Sequence, residues 1–284
     1  MNISRLFLFH ILLILNLLVP ISIASARVPD RIISLAPNIT EILFAMDMGN
    51  KIVGVTSFCD YPDEAKRKTK VGGMSNPSLE AVVSLRPDIV VMTTDGNPKE
   101  FEERLHSLGI KTYVFRARKL SELPGGIREM GTALGVKQKA DELAWKIESA
   151  MNRFAITHHS LPITAHPLPK EKVLFIIWPE PLIVAGPGTE IDDTITLLGG
   201  DNIASKAKTS YPRYSLEKII RQSPDVIFIG RGHRDMKEMS KGLLEKIASV
   251  PAVKNGHVFF LSDSLYRLGP RVVSGIGEMA ACLK

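Results

Sequence analysis

The stretch Ser78-Leu79-Glu80-Ala81-Val82-Val83-Ser84-Leu85-Arg86-Pro87-Asp88-Ile89-Val90-Val91 returns later in the chain as Ser215-Leu216-Glu217-Lys218-Ile219-Ile220-Arg221-Gln222-Ser223-Pro224-Asp225-Val226-Ile227-Phe228. Ser, Leu, Glu, Pro and Asp recur at identical spacing. Each copy reads as one physical unit: serine caps a short helix, Pro-Asp turns the chain out of it, and the apolar run that follows suits a buried strand. A helix-to-strand unit used twice points to two α/β lobes built on parallel sheets.

The pattern extends outward from both copies. Residues 31–35 read as a strand and Ala36-Pro37-Asn38 as a turn. Thr40 or Asn38 then caps a helix through Ile42, Leu43 and Met46 that stops at Gly49. Residues 51–55, 89–92 and 111–115 supply three more strands, with a helix over 98–108, so the first lobe is expected to hold four. Next, Ala140, Leu143, Ala144, Ile147, Ala150, Met151 and Phe154 keep a three-and-four spacing with no Gly or Pro between them. That spacing predicts one helix over 136–157, about 30 Å long. Residues 160–172, rich in proline and histidine, read as an exposed loop. Strands over 173–177, 226–229 and 258–261 alternate with helices over 191–198, 216–222, 239–248 and 272–283, and a Gly-rich turn covers 185–188.

The expected fold class is therefore α/β: two Rossmann-like lobes, 27–135 and 158–284, joined by one long helix over 136–157. Each lobe is long enough to bury its own core.

Composition narrows the function. With 45% hydrophobic, 23% charged and 6% aromatic residues, the 284-residue chain is neither disordered nor a disulfide scaffold. Its 36 basic residues are interspersed with 30 acidic ones for a net +6, which argues against a nucleic-acid partner. At the front, a single positive charge at Arg5 precedes a nearly continuous apolar run over 6–23 and then Ala24-Ser25-Ala26. This reads as a secretory signal peptide cut after Ala26; Pro20 and the Ala-x-Ala site weigh against a membrane anchor. No cysteine follows the cut, so a lipid anchor is not expected and the periplasm is.

Two cysteines, Cys59 and Cys282, leave one disulfide open. Neither has a second ligand at metal-site spacing, and the adjacent His158 and His159 point in different directions on a helix, so no metal site is expected. An enzyme using Cys59 beside Asp60 is the remote alternative. The chain lacks a Gly-x-Ser-x-Gly elbow or a Gly-rich phosphate loop, and Gly230-Arg231-Gly232-His233 is not a dinucleotide fingerprint. Within the repeat, Glu80 and Glu217 have no obligatory structural role. One carboxylate per lobe is what a two-point dock onto a basic partner would use.

The segments Arg31-Ile32-Ile33-Ser34-Leu35-Ala36-Pro37-Asn38-Ile39-Thr40-Glu41 and Val53-Gly54-Val55-Thr56-Ser57-Phe58-Cys59-Asp60-Tyr61-Pro62, with the paired Ser-Leu-Glu helices, resemble the periplasmic substrate-binding proteins of ABC importers for cobalamin, haem and ferric siderophores. The Cys-Asp-Tyr-Pro turn, Trp178-Pro179-Glu180-Pro181-Leu182 with Ala185-Gly186-Pro187-Gly188, and Gly199-Gly200-Asp201-Asn202-Ile203-Ala204 are most similar to the cobalamin branch. The resemblance implies the helical-backbone metal-receptor fold, with a single rigid helix between the lobes, ligand in the cleft and little domain closure. It also implies a monomer that needs no cofactor, carries cobalamin as transported ligand, and meets arginines of an ABC permease through Glu80 and Glu217.

Strand ends and turns then nominate the ligand contacts. Pro37 and Asn38 come from the opening turn, and Phe58, Tyr61, Trp178, Tyr211, Tyr214 and Tyr266 supply flat walls for a corrin disc, about two of them being ordinary core aromatics. Arg267 and Arg271 can meet amides or anions. Met74 and Thr93 stand near where the best-known cobalamin receptors place tryptophans, which leaves two other ligands open. Haem would take an axial Tyr61, Tyr211 or Tyr266; a siderophore would use Arg213, Arg267 and Arg271.

Overall fold

A computed structural model describes residues 27–94, 96–159, 170–231 and 235–283. The expected leader, most of the loop over 160–172, Gly232 and His233, and the side chains of His158 and His159 lie outside the described residues.

The first lobe runs β1 (Ile32–Ser34), α1 (Pro37–Ala45), β2 (Ile52–Val55), α2 (Asp63–Lys66), β3 (Thr69–Lys70), α3 (Leu79–Ser84), β4 (Ile89–Thr93), α4 (Lys99–Ser107), β5 (Thr112–Phe115), α5 (Leu123–Ala133) and α6 (Lys137–His159). The second runs β6 (Lys172–Pro179), β7 (Leu182–Val184), α7 (Glu190–Leu197), β8 (Asp201–Asn202), α8 (Leu216–Gln222), β9 (Val226–Gly230), α9 (Met236–Lys246), α10 (Pro251–Lys254), β10 (Val258–Leu261) and α11 (Val272–Ala280). The sheets are ordered β3-β2-β1-β4-β5 and β10-β9-β6-β7, with β8 beside β6; all pairings are parallel except β6 with β7.

Period-two alternation explains where the apolar runs go. In β1 and β4, Ile32 and Val91 enter a cluster shared by both lobes, while Ile33, Val90 and Met92 pack outward against Val82, Phe101 and Leu105. In β6 and β9, Val173, Phe175 and Phe228 join the shared cluster, and Leu174, Ile176, Ile227 and Ile229 face Ile219 and Leu243. The lobes therefore do not bury wholly separate cores, as the sequence suggested. A common one runs between them, completed by Ala140, Ala144 and Ile147 of α6 and by Val272, Ile276 and Met279 of α11.

Several local readings are corrected. The first lobe has five strands, because two-residue β3 adds to β2. Helix α1 starts at Pro37 with Ala36 at its N-cap and no side-chain cap. Thr40 is buried inside the helix, donating to the Ala36 carbonyl at 3.1 Å. Helix α5, which contains Gly125, Gly126 and Gly131, carries no strong helix propensity. Tertiary packing makes it a helix: a Cβ at Gly131 would lie 2.0 Å from that of Ala140, so glycine lets α6 lie directly against α5. Helix α6 spans 23 residues and packs on α5, α7 and α11.

The repeat is conserved as geometry. Ser78 and Ser215 accept from the amides of Ala81 and Lys218 at 3.2 and 3.3 Å. Arg86 and Ser223 both turn left-handed, with φ of 45° and 54°. Asp88 then accepts from the Asp30 and Arg31 amides at 2.8 and 2.9 Å, and Asp225 from the Lys172 amide at 2.8 Å. In each lobe the aspartate ties the start of one strand to the start of its neighbour.

Candidate functional site

A cavity of about 610 Å³ opens between the lobes. The first lobe contributes Pro37 and Asn38 after β1, Met74 after β3, Thr93 at the end of β4, and Ala117 and Arg118 after β5. Gly188, Thr189 and Glu190 at the start of α7, Ser210 and Tyr211 before α8, and Tyr266, Arg267 and Leu268 after β10 form the other wall. Most of these positions follow the carboxyl ends of parallel strands, where α/β sheets leave room for ligands. A second hollow, of about 670 Å³, lies along α9 and β10 under Lys237, Glu238 and Lys241. It draws on one lobe only and lacks the convergence of turns that marks the first.

Five of the nine nominated ligand residues are brought together here: Pro37, Asn38, Tyr211, Tyr266 and Arg267. The other four sit elsewhere. Trp178 packs against the outer core of the second lobe and its indole N–H donates to the Glu180 carbonyl at 2.7 Å. Tyr214 is buried in the same core, donates to the Ile203 carbonyl at 2.9 Å and bonds Gln222. Burial raises its phenol pKa. These two are the ordinary core aromatics. Tyr214→Phe is accordingly expected to cost about 1–3 kcal/mol in urea unfolding, because it orphans a buried carbonyl, while ligand affinity stays unchanged. Phe58 and Tyr61 are about half exposed and do not line the cavity. The Tyr61 ring faces the Arg271 guanidinium 4.4 Å away.

Arg267 lines the cavity, but its charge is already engaged. It meets Asp60 at 2.5 Å, Asp263 at 2.7 Å and Glu41 at 3.4 Å. Arg271 holds Glu41 at 2.7 and 3.0 Å and Asp263 at 3.2 Å. Glu41 and Asp60 belong to the first lobe, whereas Asp263 and both arginines follow β10, so this cluster ties the lobes together. Burial pulls the Arg267 pKa down, but the Asp60 hydrogen bond and three neighbouring carboxylates outweigh it. The Glu41 hydrogen bond raises that of Arg271. Arg213 does not line the cavity. Burial pushes the Tyr266 phenol up to about 12, and its ring lies so close to β9 that a Cβ at Gly230 would meet it at 3.2 Å.

Two asparagines shape the walls without having been nominated. Asn97 accepts from the Thr93 amide at 2.8 Å and donates to the carbonyls of Met74 at 2.9 Å and Leu35 at 3.0 Å, locking three strand-end turns together. Asn202 donates to Asp192 at 2.7 Å and to the Ala185 carbonyl at 3.2 Å, steadying the turn that precedes α7. Gly96 beside Asn97 is a local turn signal, whereas Asn202 lies in β8 with no glycine next to it, and the distant partners of both have no local signal.

Cys59 is buried between Thr40 and Thr56 at 3.1 and 3.2 Å, and burial raises its thiol pKa, opposite to what a nucleophile requires. Both cysteines are free. No cluster of potential metal ligands occurs among the described residues. Glu80 and Glu217 are exposed in the first turns of α3 and α8. Hydrogen bonds from its own amide and from Ser215 hold the Glu217 carboxyl below its usual range.

Comparison with known proteins agrees with this architecture. The family model described as periplasmic binding protein matches residues 32–265. A vitamin B12-binding protein of Vibrio vulnificus (strain YJ016) is 30% identical over 267 residues, 93% of each chain. That of Pectobacterium atrosepticum is 28% identical over 262 residues, covering 92% of this chain and 90% of its own. Among solved structures, the periplasmic vitamin B12 binding protein of Vibrio cholerae superposes with a TM-score of 0.76 at 25% identity, over 89% of this chain and 96% of that one. A periplasmic heme-binding protein from Roseiflexus sp. RS-1 does so with 0.80 at 27%, over 89% and 97%. The resemblance and the two-lobed α/β fold read from the sequence are thus borne out, and the chain belongs to the periplasmic binding protein family.

Proposed function

We propose that this protein captures cobalamin or a related corrinoid between its lobes and delivers it to an ABC permease. It does so as a monomer in the periplasm, after cleavage behind Ala26. The observation that carries the ligand class is the neutralisation of Arg267 and Arg271 by Glu41, Asp60 and Asp263. A siderophore's anionic oxygens would need those guanidiniums free. The cleft also presents two tyrosines and the aliphatic surface of Pro37, Met74, Ala117 and Leu268, with Arg118 and Glu190 among its hydrogen-bonding groups, a mixture suited to an apolar disc rimmed by amides. The vitamin B12-binding relatives support the same reading.

Haem is the second reading, favoured by the heme-binding structural neighbour. An iron-bound tyrosine works as phenolate; of the two tyrosines lining the cleft, burial holds the Tyr266 phenol up, which leaves Tyr211 as the better-placed axial candidate for this reading.

Calorimetric titration of residues 27–284 with cyanocobalamin, haemin and a ferric siderophore tests the assignment. Saturable one-to-one cobalamin binding, weakened about tenfold or more by Tyr211→Ala, is the expected result. Silence with cobalamin and heat from haemin or the siderophore would move the ligand and keep the receptor role. No heat from any of the three would defeat the proposal.

A further inference from the structure

Most of the repeat is accounted for by structure. Ser78 and Ser215 cap helices, Asp88 and Asp225 anchor strands, and Val82 and Ile219 are fully buried. Two matched pairs are left over. Glu80 and Val83 stand three residues apart on α3, and Glu217 and Ile220 three apart on α8, so each pair shares a helix face. Val83 is 40% exposed and Ile220 45%, each next to a neighbour at 0%. A solitary exposed aliphatic residue needs no explanation. Here, however, a branched aliphatic is held in water at the same repeat position in both lobes, each time beside an exposed carboxylate, and neither serves a core.

We propose that Val83 and Ile220 are apolar anchors of the docking surface, each seating beside its glutamate against one half of a two-fold symmetric membrane permease. This rests on the delivery role proposed above. An exposed ion pair contributes little while water screens it. An aliphatic side chain packed beside it excludes that water and adds buried apolar area. Because both lobes offer the same acidic and aliphatic pair, the partner they fit is one that presents the same cation and apolar hollow twice. Engaging both at once multiplies the two contacts through effective concentration.

The test measures binding of the protein to the cobalamin permease complex of the same host in nanodiscs, beside cyanocobalamin calorimetry and thermal melting. Val83→Ser and Ile220→Ser are each expected to weaken docking about threefold to tenfold, and the double variant about tenfold or more; Val83→Ile keeps it. Cyanocobalamin affinity and melting temperature are expected to stay unchanged. If the serines lower the melting temperature, Val83→Thr and Ile220→Thr, which keep the β-branch, replace them. Unchanged docking of the double variant, with Glu80→Ala/Glu217→Ala still weakened, overturns the anchor role alone. If the glutamate pair also docks normally, the delivery reading fails. Equal binding to protein-free nanodiscs overturns the proposal in favour of a lipid contact.

Discussion

Replacing Arg271 with methionine is expected to lower the unfolding free energy by about 3–5 kcal/mol and the melting temperature by about 10 °C. The cause is Glu41, whose side chain is 1% exposed and whose two oxygens both rest on Arg271. Arg267 reaches Glu41 only at 3.4 Å and is itself shared with Asp60 and Asp263. Once Arg271 is gone, a carboxylate stays buried with one long contact, and the desolvation it suffered on folding is no longer offset. Methionine keeps most of the apolar stem, so the loss reports the charge rather than a cavity. Adding Glu41→Gln to the same chain should recover at least about 1 kcal/mol, since no charge is then left stranded. A urea series on the three variants checks this; a cost below about 1 kcal/mol for Arg271→Met would show that the cluster does not hold the lobes together.

The second large effect is expected on transport rather than stability. Glu80→Ala and Glu217→Ala should each reduce permease docking about tenfold, and together about a hundredfold, while cyanocobalamin affinity and melting temperature stay within error. Both side chains are exposed and support no core, so removing them costs the fold little. Docking of the wild-type protein should also weaken as salt is raised, because rim charges are screened beyond about 8 Å at physiological ionic strength. Uptake of labelled cobalamin into proteoliposomes separates the outcomes. Intact transport by the double variant would mean that the repeated glutamates do not carry the dock.

Much of the architecture was legible because its causes are local. The alternation of Ile32 with Ile33 and of Val90 with Val91, the serine caps and the Pro-Asp connectors act over a few residues, and the strands and helices they imply are present. The exceptions are elements whose cause lies far along the chain. Helix α5 forms through glycines because α6 covers it, and β3 is a strand of two residues because β2 offers an open edge. The aromatics show the same division. Tyr211 and Tyr266 reach the cleft whereas Tyr214, three residues from Tyr211, turns inward to Ile203 and Gln222; residue type alone does not separate them.

By itself the sequence determined the two α/β lobes, the long helix and the repeated unit with its pair of glutamates, all of which follow from periodicity, capping and turn chemistry. Tertiary structure alone decided that the lobes share one core and that Arg267 is neutralised before any ligand arrives. Glu41 and Arg271 lie 230 residues apart. No local propensity brings them together. They meet because folding brings both charges to one lobe boundary, where the buried Glu41 carboxylate is offset chiefly by Arg271.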